Sequence, residues 1–526
     1  MAKLFHGKLV FLTLLVAGAV GGFGFAPYHI SPLALISYGA LFFALAQLRL
    51  ANRFKAFALG WVWGFAFFVS ALWWTGNALL VDNNPYVWAL PLAVSGLPAL
   101  LAFFAAFASL SFLIVRRLVP LSPLKQATIF AVFLAISEYA RAYCFTGFPW
   151  NMPAYIWGWN LPLLQSLSLF GPFVLALFTL LLANTFALIF LEKKFRPRFV
   201  PVIAIIGFLL ALTLWGGLRL ASNPLENSYE KGGTYIRLVQ PNIPQADKWN
   251  SAYYDQHILK MVNLALTPFS LRMSEADNII IVLPETALNE RMLASPMAYI
   301  ALETFFNEMD LKDAQVLLYA GAMRSETHNS ERQFYNSSYL FDARGRVLET
   351  YDKFHLVPFG EYMPFSDIIP IEAVTKFSGM EFGSGLRTLK IGKFPSFSPL
   401  ICYEILFPGH VRLPNQRPDM LINITNDAWY GNAPGPYQHV ENAIYRAIEE
   451  GVSVYRSANT GISIGVDPYG RTLEKLPLMH EGVIDVHYVA PIPPTLYSKI
   501  GNNGFVVLCF AFASFCLLCF RKEDDL

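Results

Sequence analysis

The sequence predicts a polytopic α-helical membrane bundle of eight helices joined to one external α/β domain. Three observations support this prediction. First, the 526 residues are 55% hydrophobic and only 14% charged, with a mean hydropathy of +0.42, which is too apolar for an ordinary soluble protein. Second, long apolar segments are separated by loops that alternate between basic and uncharged. Third, residues 220–497 change to short apolar strands that alternate with helical stretches.

Eight segments are long and apolar enough to be membrane-spanning helices, which need about 20 mostly apolar residues. The first segment resembles a signal peptide, but no A-x-A cleavage site follows it, and we interpret it as a retained helix. The predicted spans are roughly 8–25, 31–48, 57–78, 88–114, 127–147, 162–191, 199–217 and 503–520.

The basic residues predict how these helices are oriented. Lys and Arg flank the inner ends of the predicted helices, whereas the loops near 26–30, 79–87 and 148–161 contain neither. The positive-inside rule therefore places both termini in the cytoplasm and the large domain outside. The basic residues that set this pattern are Lys3, Lys8, Arg49, Arg53, Lys55, Arg116, Arg117, Lys125, Lys193, Lys194, Arg196, Arg198, Arg521 and Lys522. The predicted regions are a seven-helix bundle at 1–219, a large external domain at 220–497, and a last helix with a short tail at 498–526.

Two further features concern polar groups in unusual places. Glu138 and Arg141, three residues apart on the fifth predicted helix, form an intramembrane ionisable pair, which is either functional or a structural ion pair. Of the five cysteines, only Cys402 lies in the external domain, so no disulfide is expected within that domain.

Composition and motifs also argue against several classes of partner. The formal net charge of +2 shows no basic excess that would indicate nucleic-acid binding. The chain has no G-x-G-x-x-G motif and no P-loop, so we expect no nucleotide. His355, His410 and His439 do not have zinc-ligand spacing. We therefore expect no metal and no cofactor.

Three polar residues follow apolar strands of the external domain and are the candidate catalytic residues. They are Glu285 in "IVLPETAL", Lys353 in "ETYDKFHLVPFGEYMP" and Cys402 in "SPLICYEILFPG". A charged group just past a buried strand is held rigidly and can face a cleft. Taken singly, each has a simpler explanation: an exposed strand end, a solvated lysine and a small buried hydrophobe.

In this order and context, the three residues resemble the Glu-Lys-Cys triad of the nitrilase superfamily. "KFHLVPFGEYMP" and "ICYE" are similar to that superfamily's lysine and cysteine signatures. The whole plan, with membrane helices before the domain and one after it, resembles the apolipoprotein N-acyltransferase family. The motifs "GFPW" at 147–150, "QPNIPQADKW" at 240–249 and "NDAWYG" at 426–431 extend the resemblance over essentially the whole chain. It implies an α-β-β-α sandwich for the external domain.

The resemblance also implies roles for individual residues. Cys402 would be the nucleophile, Glu285 the general base and Lys353 the stabiliser of the oxyanion, with help from the backbone N–H of Tyr403. Supporting roles would fall to Glu361, Tyr403 and Glu404, although Tyr403 could also be core packing. Trp249 and, more weakly, Trp429 would contact substrate, and a buried aromatic plug is the alternative for Trp249.

The substrates that the resemblance implies are a phospholipid acyl donor and the diacylglyceryl-modified N-terminal cysteine of a bacterial apolipoprotein. The location would be the bacterial inner membrane, and we expect a monomer in the bilayer. A membrane-anchored amidohydrolase with the same triad and a transporter or receptor with a binding domain are the alternatives. Seven helices before the domain argue against the hydrolase, because a tether needs only one. A loop near residues 360–380, rich in Pro and aromatic residues, is a candidate lid.

Overall fold

The computed structural model describes residues 7–81, 86–191, 195–225, 232–290, 295–308, 314–328, 330–362 and 379–518. The chain divides into two compact units, each of which is considered by itself. The first comprises Met1–Leu79, Trp88–Pro224 and Thr495–Leu526, and the second comprises Leu80–Val87 and Leu225–Pro494. Outside the described residues lie Lys3, Lys193, Lys194, Arg521, Lys522 and residues 363–378 of the predicted lid.

The first unit is helical. Its helices are α1 (Leu9–Gly21), α2 (Ser31–Ala46), α3 (Arg53–Leu72), α4 (Leu90–Leu118), α5 (Pro123–Tyr143), α6 (Leu161–Leu164), α7 (Leu167–Leu191) and α8 (Phe195–Ala221), followed after the second unit by two more. In the second unit the helices are α9 (Gln245–Lys248), α10 (Tyr254–Ala265), α11 (Pro296–Glu308) and α12 (Pro434–Glu450). The chain then returns to the first unit with α13 (Leu496–Ile500) and α14 (Asn503–Leu518).

Five helical segments in the described part of the chain are long and apolar enough to cross a membrane. They are Arg53–Leu80, Val87–Leu118, Pro123–Thr146, Leu167–Leu191 and Arg198–Ala221. Shorter apolar helices lie where the first, second and eighth spans are predicted. A helix of 16 residues, the length of α2 and α14, extends about 24 Å, which is less than the ~30 Å of a bilayer core. The described helices therefore support five spans by length and composition.

The sixth predicted span is not one continuous helix. Gly171 interrupts α7 with φ of +73° and is followed by Pro172. A Cβ at Gly171 would lie 2.2 Å from Cε2 of Tyr497, so both the backbone angle and the close approach require glycine here. The apolar pattern predicted one uninterrupted helix over 162–191, because hydropathy carries no information about the local backbone angle. The kink at Gly171 interrupts that helix.

Glu138 and Arg141 form an ion pair within α5, and both are buried. The Nη1 of Arg141 also donates to the carbonyl oxygen of Phe148, at 2.5 Å, in the segment that follows α5. The guanidinium lies over the ring of Phe68, 5.2 Å from its centroid. These contacts favour the structural interpretation of the pair, because they join α5 to the turn that ends it.

The second unit contains two mixed sheets. Within the described residues, one sheet has the order β12-β1-β2-β4-β5-β6 with β3 beside β4, and the other has the order β11-β10-β9-β8-β7. The strands are β1 (Thr234–Gln240), β2 (Asn278–Val282), β3 (Leu288–Asn289), β4 (Gln315–His328), β5 (Glu331–Asp342), β6 (Val347–Asp352), β7 (Phe397–Ile401), β8 (Met420–Thr425), β9 (Ser453–Ala458), β10 (Ser463–Val466), β11 (Thr472–Leu476) and β12 (Gly482–His487).

The two sheets pack face to face, with helices on their outer faces. Apolar side chains alternate along the central strands β1, β2 and β4, so that Ile236 of β1 faces the core between the sheets, whereas Tyr235 faces the helices. Helices α10 and α11 cover the first sheet, and α12 packs on the second. The resulting layers are those of an α-β-β-α sandwich. Strands β1, β2 and β4 are parallel to one another, as are β7, β8 and β9, so the carboxyl ends of each set lie along one edge.

Candidate active site

The ends of three strands position the predicted catalytic residues. Lys353 directly follows β6, and Cys402 directly follows β7. Glu285 comes three residues after the end of β2. All three are nearly inaccessible, with exposed fractions of 1% for Lys353, 7% for Cys402 and 6% for Glu285. The apolar strands fix the backbone on one side of each residue, so the functional groups have little freedom to move.

Lys353 lies between two carboxylates. Its Nζ is 2.8 Å from Oε2 of Glu361 and 3.6 Å from Oε1 of Glu285. Burial by itself would lower the pKa of Lys353, but the charges of Glu361 and Glu285 outweigh it and raise the pKa above its ordinary value. Lys353 therefore remains a charged ammonium at neutral pH.

The carboxylate of Glu285 is held by two further hydrogen bonds. The side-chain Nδ2 of Asn336 donates to Oε1 at 2.7 Å, and the main-chain N–H of Asn426 donates to Oε2 at 2.7 Å. Asn336 Nδ2 also donates to Oε1 of Glu361 at 2.7 Å. A single amide group thus joins both carboxylates that flank Lys353, and it fixes their separation.

Cys402 occupies a strained position. Its φ of +52° lies in the left-handed region, which non-glycine residues adopt rarely and mostly at turns or functional sites. Burial raises the pKa of the Cys402 thiol, the charge of Glu285 raises it further, and the charge of Lys353 lowers it. The thiol is therefore protonated at rest, and a thiolate forms only when a neighbouring base takes the proton. The charges of Glu285 and Lys353 thus act in opposite directions on the pKa of this thiol.

The supporting acidic residues take different places. Glu361 contacts Lys353 and also accepts a hydrogen bond from the N–H of Val357 at 2.7 Å. Glu404 is buried beside the chain segments that carry Lys353 and Cys402. It accepts hydrogen bonds from Tyr351 Oη and from the main-chain N–H groups of Phe354, His355 and Ile401. Burial raises the pKa of Glu404.

Of the three predicted aromatic residues, Tyr403 is buried and the two tryptophans are partly exposed. Tyr403 is buried, with its ring 5.2 Å from that of Phe407 and 5.7 Å from that of His355, which is a packing arrangement. Trp249 is partly exposed directly after α9, and its carbonyl accepts a hydrogen bond from Tyr254 Oη at 3.2 Å. Trp429 is also partly exposed, in the short 3₁₀ turn Asp427–Tyr430.

Sequence reasoning missed several residues that contact the site. Asn336 lies in the middle of β5 and is followed by Ser337 and Ser338, so nothing in the local pattern distinguished it. Asn426 contributes a main-chain N–H, which no sequence pattern reveals. Lys248 reaches the carbonyl oxygen of Glu285 with its Nζ at 3.0 Å. It lies inside the motif "QPNIPQADKW", from which only Trp249 was selected.

A second buried network supports the backbone of Cys402. Nδ1 of His439 lies 2.8 Å from Oδ1 of Asp427, and Nε2 lies 3.2 Å from the carbonyl oxygen of Cys402. Nη2 of Arg456 donates to Oδ2 of Asp427 at 2.7 Å. Burial alone would raise the pKa of Asp427, but the charge of Arg456 and the hydrogen bonds from His439 and Thr425 lower it to about 2. Asp427 is therefore the anion that holds this network together.

Replacing Asp427 with asparagine is expected to lower the stability of the fold in a pH-dependent way. The pKa of Asp427 is depressed in the folded state, so its stabilisation is complete above the unfolded pKa of about 4. It is lost as the pH falls from about 4 to about 2. Thermal unfolding in detergent should show the wild type on the order of 2 kcal/mol more stable than Asp427→Asn at pH 7, with a smaller difference at pH 3. A difference that stays constant across this range would contradict the assignment.

Known proteins resemble this chain over both of its parts. Residues 17–185 match the model of the apolipoprotein N-acyltransferase N-terminal domain, and residues 235–490 match that of carbon-nitrogen hydrolases. The apolipoprotein N-acyltransferase of Rhodopseudomonas palustris is 36% identical over 512 residues, which cover 94% of this chain and 92% of the relative. That of Brucella melitensis is 37% identical, covering 92% and 90%. That of Rickettsia prowazekii is 32% identical, covering 94% and 95%.

These relatives span nearly the whole chain at identities above 30%, and the carbon-nitrogen hydrolase match covers the part of the chain that holds Glu285, Lys353 and Cys402. The chain therefore belongs to the apolipoprotein N-acyltransferase family and is an N-acyltransferase with a nitrilase-like domain.

Proposed function

We propose that this enzyme transfers a fatty acyl chain from a phospholipid, through a thioester on Cys402, to an apolipoprotein. The acceptor is the α-amino group of the N-terminal S-diacylglyceryl-cysteine. The observation that carries the proposal is the buried ammonium of Lys353 between Glu285 and Glu361, in a chain segment that Glu404 joins by hydrogen bonds to the segment of Cys402. A thiol, a base and a fixed cation are the groups that acyl transfer through a thioester requires.

In the first half of the reaction, Glu285 takes the proton from the Cys402 thiol, and the thiolate attacks an ester carbonyl carbon of the phospholipid. The carbonyl oxygen becomes an oxyanion, which the Lys353 ammonium stabilises together with the N–H of Tyr403. When the tetrahedral intermediate collapses, the ester C–O bond breaks. The departing alkoxide takes the proton from Glu285 and leaves as a lysophospholipid.

In the second half, the amine of the acceptor attacks the thioester carbonyl. Glu285 accepts a proton from the attacking amine, and the C–S bond breaks to release the Cys402 thiolate. Returning the proton from Glu285 to the thiolate restores the resting enzyme. The product is an amide, so the acyl group ends on nitrogen and the cysteine is ready for another donor.

The surrounding residues have supporting roles in this scheme. Glu361 and Asn336 hold Lys353 and Glu285 at their observed separation. Glu404 fixes the backbone beside Lys353 and Cys402 and does not itself exchange protons with substrate. Tyr403 acts through its main chain, whereas Trp249 and Trp429 are proposed to contact the lipid substrates from their partly exposed positions.

The membrane arrangement is also part of the proposal. Two lipid substrates require a catalytic domain at a bilayer surface, and the long apolar helices supply the anchor. We propose eight spans in the bacterial inner membrane, with the three shorter apolar helices completing the five long ones. The regions are 1–219, 220–497 and 498–526, with both termini in the cytoplasm, the catalytic domain in the periplasm and a single chain as the functional unit.

Intact-mass spectrometry of the purified protein with phospholipid tests this function. The expected result is a fatty-acyl adduct on Cys402 that hydroxylamine removes. Addition of a synthetic diacylglyceryl lipopeptide should then discharge the adduct and produce the N-acylated peptide. Discharge to free fatty acid, with no acylated peptide, would identify a hydrolase instead. Absence of any adduct would contradict a thioester mechanism.

A further inference from the structure

Lys248 is a buried lysine for which neither half of the reaction provides a role. Its side chain is only 6% exposed, and its Nζ donates to the main-chain carbonyl oxygen of Glu285 at 3.0 Å. Long charged side chains are almost never buried in this way unless they are paired. The position directly behind the catalytic base therefore calls for an explanation.

The carbonyl that Lys248 holds belongs to a strained peptide. The next residue, Thr286, has φ of +49°, in the left-handed region that a β-branched residue rarely adopts. The chain turns here directly after the residue whose carboxylate contacts Lys353 and Asn336. A charge-assisted hydrogen bond at the carbonyl of the turn stabilises it against relaxation to an ordinary backbone angle.

The short helix that carries Lys248 also supports Glu285 from a second direction. Oε1 of Gln245, one turn earlier in α9, accepts a hydrogen bond from Nδ2 of Asn426 at 2.7 Å. The main-chain N–H of Asn426 in turn donates to Oε2 of Glu285. Helix α9 therefore acts on both the main chain and the carboxylate of the base. The motif "QPNIPQADKW", which contains the proposed substrate contact Trp249, thus also holds Glu285 in place.

Lys353 alone does not balance the negative charges of the two carboxylates beside it. Glu285 and Glu361 carry two negative charges, and Lys353 supplies one positive charge between them. The remaining negative charge opposes ionisation of Cys402, whose thiol pKa is raised first by burial and then by Glu285. With Lys248 charged, the two carboxylates and two ammonium groups balance, both before and after the proton passes from Cys402 to Glu285.

Within the part of the chain that the structure describes, no other titratable group that faces Lys248 supplies this charge. Lys248 and His257 of α10 line the same cavity of about 10 Å³, and burial lowers the pKa of His257 so that it is neutral at pH 7. The remaining groups that act on Lys248 are Glu285 and Cys402 themselves. Burial lowers the pKa of Lys248 to about 8, which still leaves most of it charged at pH 7.

We propose that Lys248 is a positioning residue for the reaction, which holds the strained Glu285–Thr286 peptide and balances the negative charge that opposes thiolate formation. This role rests on the proposed function of Glu285 and Cys402. It differs from a role in substrate binding, because the ammonium is buried and contacts the main chain of the base.

The test compares Lys248→Met, Lys248→Arg and a control, Lys260→Met. Lys260 lies on α10 and pairs with Glu481 at the surface, so its loss should leave activity unchanged. Two rates are measured by intact mass: acyl-enzyme formation from phospholipid in a single turnover, and alkylation of Cys402 by iodoacetamide from pH 6 to pH 10. Thermal unfolding of each variant is recorded in the same detergent.

Lys248→Met is expected to slow acyl-enzyme formation about 10- to 100-fold, with the phospholipid concentration for half-maximal rate changed less than about twofold. Below pH 8, where Lys248 is charged in the wild type, alkylation of Cys402 should be about tenfold slower in the variant, because a cation near the thiolate is lost. The difference should shrink above pH 8, as Lys248 of the wild type loses its proton. Lys248→Arg, which keeps the charge, should recover most of both effects.

Wild-type rates and an unchanged alkylation profile in Lys248→Met would overturn the inference. So would a loss of activity that only follows a loss of folded protein and that Lys248→Arg does not recover. If the wild type itself forms no acyl adduct, the proposed function fails. The alkylation profiles would still decide whether Lys248 acts on the thiolate.

Discussion

Replacing Cys402 with alanine is expected to reduce acyl transfer by more than about 10³-fold, with little change in the fold. Loss of the proposed nucleophile would remove the covalent step of the proposed mechanism. Alanine keeps the Cβ that the strained backbone already accommodates, so the cost in stability should be about 1 kcal/mol. Production of N-acylated lipopeptide and thermal unfolding, measured on the same sample, check both statements.

The matched control for this variant is Cys144→Ala. Cys144 is exposed in the first unit, and it lies outside the proposed site. It should retain full activity and the fatty-acyl adduct. Residual transfer by Cys402→Ala at more than a few per cent of the wild-type rate would mean that the acyl group passes directly between substrates.

Replacing Lys353 with methionine is expected to affect both activity and stability. Without the ammonium, an oxyanion in the site has no fixed cation, and acyl-enzyme formation should fall at least about 10²-fold. The folded protein would also bury the carboxylates of Glu285 and Glu361 with no opposing charge from Lys353, at a cost of about 3–5 kcal/mol. The two effects are measured by single-turnover acylation and by thermal unfolding.

A double variant separates the two effects. In Lys353→Met with Glu361→Gln, one of the two carboxylates is neutralised, so part of the lost stability should return. Activity should not return, because the cation is still missing. If the double variant were as unstable as Lys353→Met alone, the ion pair seen between Lys353 and Glu361 would not be what stabilises this region.

The apolar pattern predicts the helices well, but it predicts their ends and kinks poorly. The segments predicted at 88–114 and 127–147 correspond to α4 and α5 within a few residues. The segment at 162–191 is divided near Gly171 by a close approach to Tyr497, more than 300 residues later in the chain. A contact between residues so far apart in sequence leaves no local signal. Hydropathy therefore predicts one continuous helix where tertiary packing produces a kink.

In the candidate site, the sequence predicts the reactive side chains but not the groups that orient them. Glu285, Lys353 and Cys402 could be selected because each is a reactive side chain at the end of an apolar strand. The groups that orient them could not, because many are main-chain N–H and C=O groups that every residue carries. Examples are the N–H of Asn426 on Glu285 and the carbonyl of Cys402 near His439. Such contacts depend on how two sheets meet, and no motif encodes them.

The amide of Asn336 has a consequence for the chemical durability of the enzyme. Its NH₂ group serves two carboxylates at once, and it is 2% exposed within paired strand β5. Hydrolysis of that amide, a common ageing reaction of asparagine, would remove both donors and add a third negative charge beside the carboxylates of Glu285 and Glu361. One spontaneous reaction would thus inactivate the molecule without breaking the chain. Pairing of β5 keeps Asn336 away from water and restricts its backbone. The same pairing therefore slows deamidation of Asn336 and the loss of activity that would follow.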